Sequence, residues 1–306
     1  MNAVRVSGVK KTFRVGKSET VALNDISFEV EKGELFGLIG PDGAGKTTLF
    51  RILTTLLLAD MGTATVDGRD VVKDYKEIRK HVGYMPGRFS LYQDLSVEEN
   101  LSFFATLFNT TIQANYDLVR DIYSQIEKFK HRKAGQLSGG MKQKLALSCA
   151  LIHRPSVLFL DEPTTGVDAV SRKEFWDLLH QLQQQGITIL VSTPYMDEAS
   201  LCNRVALIQE GKILDIDTPT GTTSKFGKKL WSATSSNMYS LMTTLRAMDE
   251  VESCFPFGSE HHVVFKNDSI DVNAIVRKLR EAGIGDVEFK SVNATIEDRF
   301  MALMNE

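Results

Sequence analysis

The chain has 306 residues, with 36 lysines and arginines against 39 aspartates and glutamates, a net charge of −3 and 42% hydrophobic residues. That length suits one large domain plus a small one, and the interspersed charge offers no basic face for nucleic acid. The longest apolar runs, such as Leu56 to Ala59 and Val157 to Leu160, fall far short of the about 20 residues that cross a bilayer, so any membrane role is borrowed from a partner. Met1 to Arg14 alternates small, polar and basic residues without an apolar core, unlike a secretory signal. Cys149, Cys202 and Cys254 have no metal-ligand spacing and read as single buried thiols in a reducing compartment.

Over residues 1–35, Val4 and Val6, then Ile26, Phe28 and Val30, alternate with polar neighbours, the period of a half-buried sheet. Gly16 to Thr20 reads as a hairpin-like loop. The apolar run Leu35 to Ile39 is a buried strand, followed by a Gly-rich loop and a helix from Lys46 to about Leu58. Between Leu91 and Lys133 the pattern is helical, with Leu101, Phe104, Ala105 and Phe108 on one face and Leu118, Ile122, Ile126 and Phe129 on another. This predicts an inserted helical subdomain over about residues 91–135. From Ser138, helix and strand alternate: helix to His153, strand Val157 to Leu160, helix Ala169 to Gln184, strand Ile187 to Val191, helix Pro194 to Cys202, strand Val205 to Ile208. Strands buried on both faces between helices imply an α/β fold with a mainly parallel sheet.

Asp217 to Gly221 opens a Ser, Thr and Lys-rich stretch that reads as a linker. Beyond it come strand Lys229 to Ser232, helix Asn237 to Met248, strands Val251 to Phe255 and His262 to Lys266, helix Val272 to Ala282 and strand Asp286 to Lys290. That order predicts a small ferredoxin-like α+β domain over residues 221–306, closed by a helix from Ile296 to Met304. His261 and His262 are adjacent on a strand and point to opposite faces, so they cannot chelate one metal together.

Gly40-Pro41-Asp42-Gly43-Ala44-Gly45-Lys46-Thr47 satisfies G-x-x-x-x-G-K-[ST] between a strand and a helix, the setting of a P-loop. Unpartnered N–H groups at a helix start suit a polyphosphate, and glycines let it approach the backbone. Lys46 neutralises β- and γ-phosphates, the Thr47 hydroxyl ligates Mg²⁺, and Thr48 belongs to the same nucleotide set. Val157 to Leu160 then runs into Asp161 and Glu162, two carboxylates at the carboxyl end of a parallel strand, where such sheets bind ligands. Asp161 is the Mg²⁺ partner through water, and Glu162 orients or deprotonates the attacking water.

Residues 1–220 resemble the ABC ATPase family. Its signature appears as Leu137-Ser138-Gly139-Gly140-Met141-Lys142-Gln143, a second helix N-terminus in which Ser138 caps and Gly139 and Gly140 leave amides exposed. The resemblance implies that these amides meet ATP held by a second copy of the domain, with Asp168 of Thr165-Gly166-Val167-Asp168 contacting across the dimer and Phe13 stacking on adenine. Two positions depart from the family. Its glutamine after Tyr-x-Pro is Gly87, and its switch histidine after Val-Ser-Thr is Pro194, neither with a side-chain donor. Thr193 is a suitable N-cap and proline a favoured first helical residue, so the helix start is kept while a phosphate sensor is lost. Slow hydrolysis is the expectation.

The chain is most similar to the ABC-2 type multidrug or drug-efflux ATPases, to which the Glu297-Asp298-Arg299-Phe300 run near the end also points. The resemblance implies an exporter motor that binds ATP and Mg²⁺, pairs with a second ATPase copy, and drives a separate ABC-2 type permease docked beside Gly87 and the Phe89 to Gln93 segment. Phe89 and Tyr92 are read as an exposed aromatic pair suited to that interface. It would sit on the inner face of the cell membrane. Two alternatives stay open: a MgATP-gated dimerisation module with little hydrolysis, and a non-transport ABC ATPase acting on ribosomes or DNA. The latter usually has two fused cassettes or a coiled-coil insertion, and no heptad run occurs here. The small C-terminal domain reads as a regulatory or dimer-stabilising appendage.

Overall fold

The alternating N-terminal residues pair as two long antiparallel strands, β1 (Asn2–Val15) and β2 (Ser18–Glu31), in the computed structural model, which describes residues 2–16 and 18–304. The reversal is tighter than a loop from Gly16 to Thr20. Gly16 takes a left-handed φ of 61°, and Ser18 already pairs with Val15. Lys17 of that predicted loop lies outside the described residues, as do Met1, Asn305 and Glu306.

Residues 1–219 form one compact unit. After β2 come β3 (Leu35–Ile39), α1 (Lys46–Leu53), β4 (Met61–Val66), β5 (Arg69–Asp70), α2 (Tyr75–His81) and β6 (Val82–Met85). The insert supplies α3 (Val97–Leu107) and α4 (Tyr116–Glu127). It is followed by α5 (Gly139–Leu151), β7 (Val157–Asp161), α6 (Ala169–Gln184), β8 (Thr188–Thr193), β9 (Arg204–Gln209) and β10 (Lys212–Asp217). One sheet has the order β2-β1-β4-β5 and is antiparallel. The other runs β10-β9-β3-β8-β7-β6 and is parallel except for β10. Every residue of β3, β7 and β8 is buried, the apolar stretches Val157 to Leu160 and Ile189 to Val191 among them, with Asp161, Thr188, Ser192 and Thr193 buried polar. Phe28 of β2 stacks on Phe36 of β3 at 5.4 Å between ring centres, tying the sheets together, and Phe50 of α1 meets Phe159 of β7 edge-on at 5.6 Å. Each such buried ring contributes about 1.5–3 kcal/mol.

Several elements differ from their sequence reading for local reasons. Helix α1 stops at Leu53 rather than near Leu58, because Thr54 Oγ1 turns back to the Phe50 carbonyl and Thr55 adopts a left-handed φ of 64°. No regular helix starts at Pro194. Thr193 remains in β8, its hydroxyl donates to Glu198, and a 3₁₀ turn covers only Met196–Leu201. Thr193 is therefore not an N-cap and Pro194 is not a first helical residue. In α4 the buried stripe is Val119, Ile122, Tyr123 and Ile126, which leaves Leu118 only half-buried. The stretch read as a linker is structured: β10 ends at Asp217 and α7 (Pro219–Ser224) follows.

Residues 220–306 form the second unit. Its elements are β11 (Leu230–Thr234), α8 (Met238–Ala247), β12 (Val251–Phe257), β13 (Glu260–Phe265), α9 (Val272–Glu281), β14 (Glu288–Val292) and α10 (Ile296–Leu303). The β-α-β-β-α-β order closes an antiparallel sheet, β12-β13-β11-β14, whose core is Ala233, Leu241, Leu245, Val263, Ile275 and Leu279. Helices α8 and α9 supply one side of that core. Among the described residues no helix is long and apolar enough to cross a membrane.

Candidate functional site

The Gly-rich loop leaves β3 and enters α1 with glycines where side chains do not fit. A Cβ on Gly40 would lie 2.1 Å from the Ile208 carbonyl oxygen, and one on Gly45 would lie 2.5 Å from that of Ala22. Gly45 also has φ 108° and Gly43 φ 80°, both left-handed. Space around Gly43 is open, with nothing within 4 Å of a built Cβ. Ala44 is buried and fastened at both ends, its N–H to Pro41 O at 3.2 Å and its carbonyl to Gly211 N–H at 3.0 Å. Helix α1 has no side-chain cap and no acidic residue in its first turn, so its N-terminal dipole faces the loop uncompensated.

Lys46 is 4% exposed, and its ammonium donates to Gly40 O at 2.8 Å and Pro41 O at 3.0 Å and lies 3.2 Å from Glu162 Oε1. Two carbonyls thus take protons of the ammonium, and the Glu162 carboxylate faces its charge. Asp161, at the end of β7, is 2% exposed and accepts from Ser192 Oγ at 2.6 Å. Its charge has a visible consequence: burial first, then Asp161, push the Tyr84 phenol up to about 12. The next residue, Glu162, takes φ 50°, its N–H bonded to Ser192 O at 3.0 Å and Ser192 Oγ at 3.1 Å. A left-handed glutamate costs roughly 1–2 kcal/mol, and here that turn aims the carboxylate at Lys46.

These residues fit a magnesium-bound polyphosphate. Thr47 and Thr48 are half-buried, and among the described residues their hydroxyls make no hydrogen bond. No cluster of three or more His, Cys, Asp or Glu capable of holding a metal occurs among the described residues. A hydroxyl and one buried carboxylate are the donor set of an ion that keeps waters and phosphate oxygens as its other ligands. Phe13 lies on β1 opposite Thr20, 39% exposed, with the Lys11 ammonium 5.7 Å from its ring centre. Pro41 and Asp42 form the outer turn of the loop, Asp42 exposed.

Ser138 caps α5, accepting from Met141 N–H at 3.4 Å, while Leu145, Cys149 and Ile152 are buried. Gly139 is exposed. Gly140 has an intramolecular reason that the sequence did not disclose: a Cβ there would meet Ser171 Oγ at 2.7 Å. Asp168 is exposed and caps α6 by accepting from Ser171 N–H at 3.0 Å, a bond that holds its carboxyl below the usual range. No hydrogen bond or ion pair among the described residues joins Ser138, Gly139 or Gly140 to the Gly-rich loop of the same chain.

The two departures also have local geometry. A Cβ on Gly87 would sit 3.0 Å from the Asp161 carbonyl oxygen, so this segment approaches the end of β7 more closely than a side chain comfortably allows. Around Pro194, a network escaped the sequence reading. Glu198, 1% exposed, accepts from Thr164 Oγ1 at 2.7 Å and Thr193 Oγ1 at 2.5 Å, and Arg172 stands 3.6 Å away while stacking on Tyr195 at 4.3 Å. The two threonines lie 5 and 34 residues from Glu198, and no motif announces them. Asn100 was missed too. Fully buried, it bonds Tyr92 N–H and the carbonyls of Tyr92, Leu95 and Ser96, bracing the segment after Gly87.

Beside that segment opens a cleft of about 690 Å³, lined by Tyr84, Met85, Leu91, Phe104, Phe108 and His153 among others. Its aromatic pair is not uniformly exposed. Tyr92 is 51% exposed and edge-on to Phe103 at 5.0 Å, but Phe89 is half-buried, with the Lys142 ammonium 5.6 Å from its ring centre. His153 stacks on Phe108 at 3.8 Å, and burial lowers its pKa, keeping the ring neutral. All three cysteines are free and buried; burial raises each thiol, Cys254 to about 11.

Comparisons with known proteins agree with this geometry. Residues 23–165 match the family model described as ABC transporter. The probable multidrug ABC transporter ATP-binding protein YbhF of Escherichia coli (strain K12) is 37% identical over 306 residues, covering 98% of this chain and 52% of that protein. The doxorubicin resistance ATP-binding protein DrrA of Mycobacterium tuberculosis (strain ATCC 25618 / H37Rv) is 40% identical over 215 residues, covering 69% of this chain and 64% of that protein. The chain thus spans only 52% and 64% of the lengths of these relatives. A solved dimeric ATP-binding cassette, MJ0796, in a post-hydrolysis state with ADP and Pi, superposes with a TM-score of 0.65 at 24% identity, over 70% of this chain and 98% of that one, and so shares its fold. Residues 23–165 of the N-terminal unit thus carry the domain of ABC transporters.

Proposed function

We propose that the chain is the ATP-hydrolysing motor of an ABC-type exporter, pairing with a second cassette and driving an ABC-2 type permease on the inner face of the cell membrane. The observation that carries the catalytic part is the 3.2 Å approach of Lys46 to Glu162 beside a loop in which Gly40 and Gly45 leave no room for a side chain. A nucleotide's phosphates would take the Lys46 ammonium from Glu162, which the uncapped α1 N-terminus favours. Glu162 is then released to hold the attacking water and accept its proton. Thr47 and Asp161 would hold magnesium, which supplies charge neutralisation across the terminal phosphates. Phe13 offers an exposed aromatic face for adenine. Ser138, Gly139 and Gly140, unengaged with their own chain's loop, would present amides to ATP on the partner, with Asp168 close by.

Relatives named for multidrug and doxorubicin resistance favour efflux over other work for a cassette. The 690 Å³ apolar cleft beside Gly87 is where a permease helix would dock, with Tyr92 at its rim. The donorless Gly87 and Pro194 favour slow turnover, since one missing preorganised donor costs about 10²–10³ in rate. They also sustain the second reading, ATP-gated pairing with little hydrolysis. Phosphate release by purified protein, with and without Glu162→Gln, decides between them. A fall of about 10²–10⁴ supports general-base catalysis; equal rates remove Glu162 from the mechanism.

A further inference from the structure

The sheet of the C-terminal unit has one side packed by α8 and α9, whereas α10 is laid across part of the other. Asp298 on α10 is hydrogen-bonded to His262 Nδ1 of β13 at 2.6 Å, both residues being more than nine-tenths buried, and it closes the α10 capping box with Thr295. The His262 ring lies flat on Phe257 at 4.0 Å. Helix α10 therefore stands at a fixed distance from the sheet and leaves a pocket of about 590 Å³.

The apolar and aromatic part of the pocket wall is Phe226, Leu230, Phe255, Phe257, Val264 and Met301, and Glu297 and Arg299 of α10, each with an interaction of its own, also line it. Two of its charged pairs are internally closed, Lys228 with Glu252 and His262 with Asp298. Arg246 differs. Its Nε donates to the Cys254 carbonyl at 2.9 Å, which orients the guanidinium, and among the described residues it has no carboxylate partner. Strand β12 is a sheet edge, yet adding a peptide strand there is obstructed: Pro256 has no N–H to donate and Arg246 occupies the Cys254 carbonyl. A compact ligand suits the site better than an extended chain, and the volume is that of a small-molecule pocket.

We propose that this pocket binds a small amphipathic anion, an aromatic or acyl carboxylate or sulfonate whose apolar body lies on Phe255 and Phe257 and whose charge is taken by the Arg246 fork. Bidentate anion recognition is what an oriented guanidinium does best. The site is lined by residues of the C-terminal unit alone, so it stands even if the transport reading falls.

The test uses the full chain and two dyes of similar body, the anionic 8-anilino-1-naphthalenesulfonate and the neutral N-phenyl-1-naphthylamine, titrated by fluorescence. Arg246→Met weakens the sulfonate by about tenfold or more and leaves the neutral dye within about twofold, while Arg246→Lys restores part of the loss. Phe255→Ala weakens both dyes, which assigns the signal to this pocket and not to the cleft in the N-terminal unit. Sulfonate affinity unchanged in Arg246→Met, equal loss of both dyes in that variant, or no sulfonate binding to the wild type each overturns the proposal.

Discussion

At the Gly-rich loop every candidate contact to phosphate comes from residues 40–48, whereas in the C-terminal unit the polar contact that pins α10 joins residues 36 apart. In the first region Gly40 and Gly45 are set by backbone crowding, and the Lys46 ammonium is turned inward onto carbonyls and Glu162. The second is an ordinary antiparallel sheet whose distinctive chemistry is a buried His262–Asp298 pair and an oriented Arg246. The contrast teaches that a site built from consecutive backbone groups leaves a readable trace in sequence, while one assembled across a sheet does not.

That contrast can be attacked first where crowding is greatest. Gly40→Ala places a Cβ 2.1 Å from the Ile208 carbonyl oxygen; about 3 kcal/mol or more of stability is expected to be lost, as urea unfolding would register. Gly43→Ala meets open space but keeps a φ of 80°, so about 1–2 kcal/mol is expected from strain alone. Equal losses would show that crowding does not set the loop.

Asp298→Ala leaves His262 buried beside an empty partner position and removes the α10 capping box. About 2 kcal/mol is expected to be lost from the C-terminal unit, with nucleotide affinity of the cassette unchanged. Hydrogen exchange resolved by region reads both at once, and loss of protection in the cassette would contradict the separation. Gly87→Gln supplies the family's missing amide, but its Cβ presses on the Asp161 carbonyl at 3.0 Å. Phosphate release is therefore expected not to rise; a rise would mean that the missing donor alone limits turnover.

The smallest effect concerns His153. Burial depresses its pKa from 6.5 in the folded chain, so the unfolded state binds the proton more readily. Its contribution to stability is complete above that unfolded value and is lost progressively as pH falls below it and through the lowered folded value. His153→Phe, which keeps the stack on Phe108, is expected to flatten the dependence of unfolding midpoint on pH below about 6.5.

The order of strands and helices in the parallel sheet was legible because fully buried strands and capped helices carry their periods locally, as Ala169–Gln184 after Asp168 illustrates. The ends of elements were less so. Helix α1 ends early through Thr54 and Thr55, whose hydroxyl and left-handed backbone compete with a pattern that still looks helical. Pro194 followed the rule for a helix start, yet Thr193 was claimed by Glu198 of the turn after β8, whose carboxylate is shared with Thr164 from the loop after β7. Gly140 was read for a phosphate contact, whereas the reason the fold displays is packing, since Ser171 leaves no room for a side chain there. Asn100 and Glu198 were invisible for the same reason as the His262–Asp298 pair: their partners come from other elements or from backbone groups.

The central claim, that the loop around Lys46 holds ATP which a second copy's Ser138 turn completes, is tested most directly by the mass of Glu162→Gln protein in solution. By sedimentation with saturating MgATP the mass is expected to double, and Ser138→Arg in the same background is expected to abolish the doubling. A mass that stays at one chain with nucleotide bound, or a doubling indifferent to Ser138→Arg, contradicts the account.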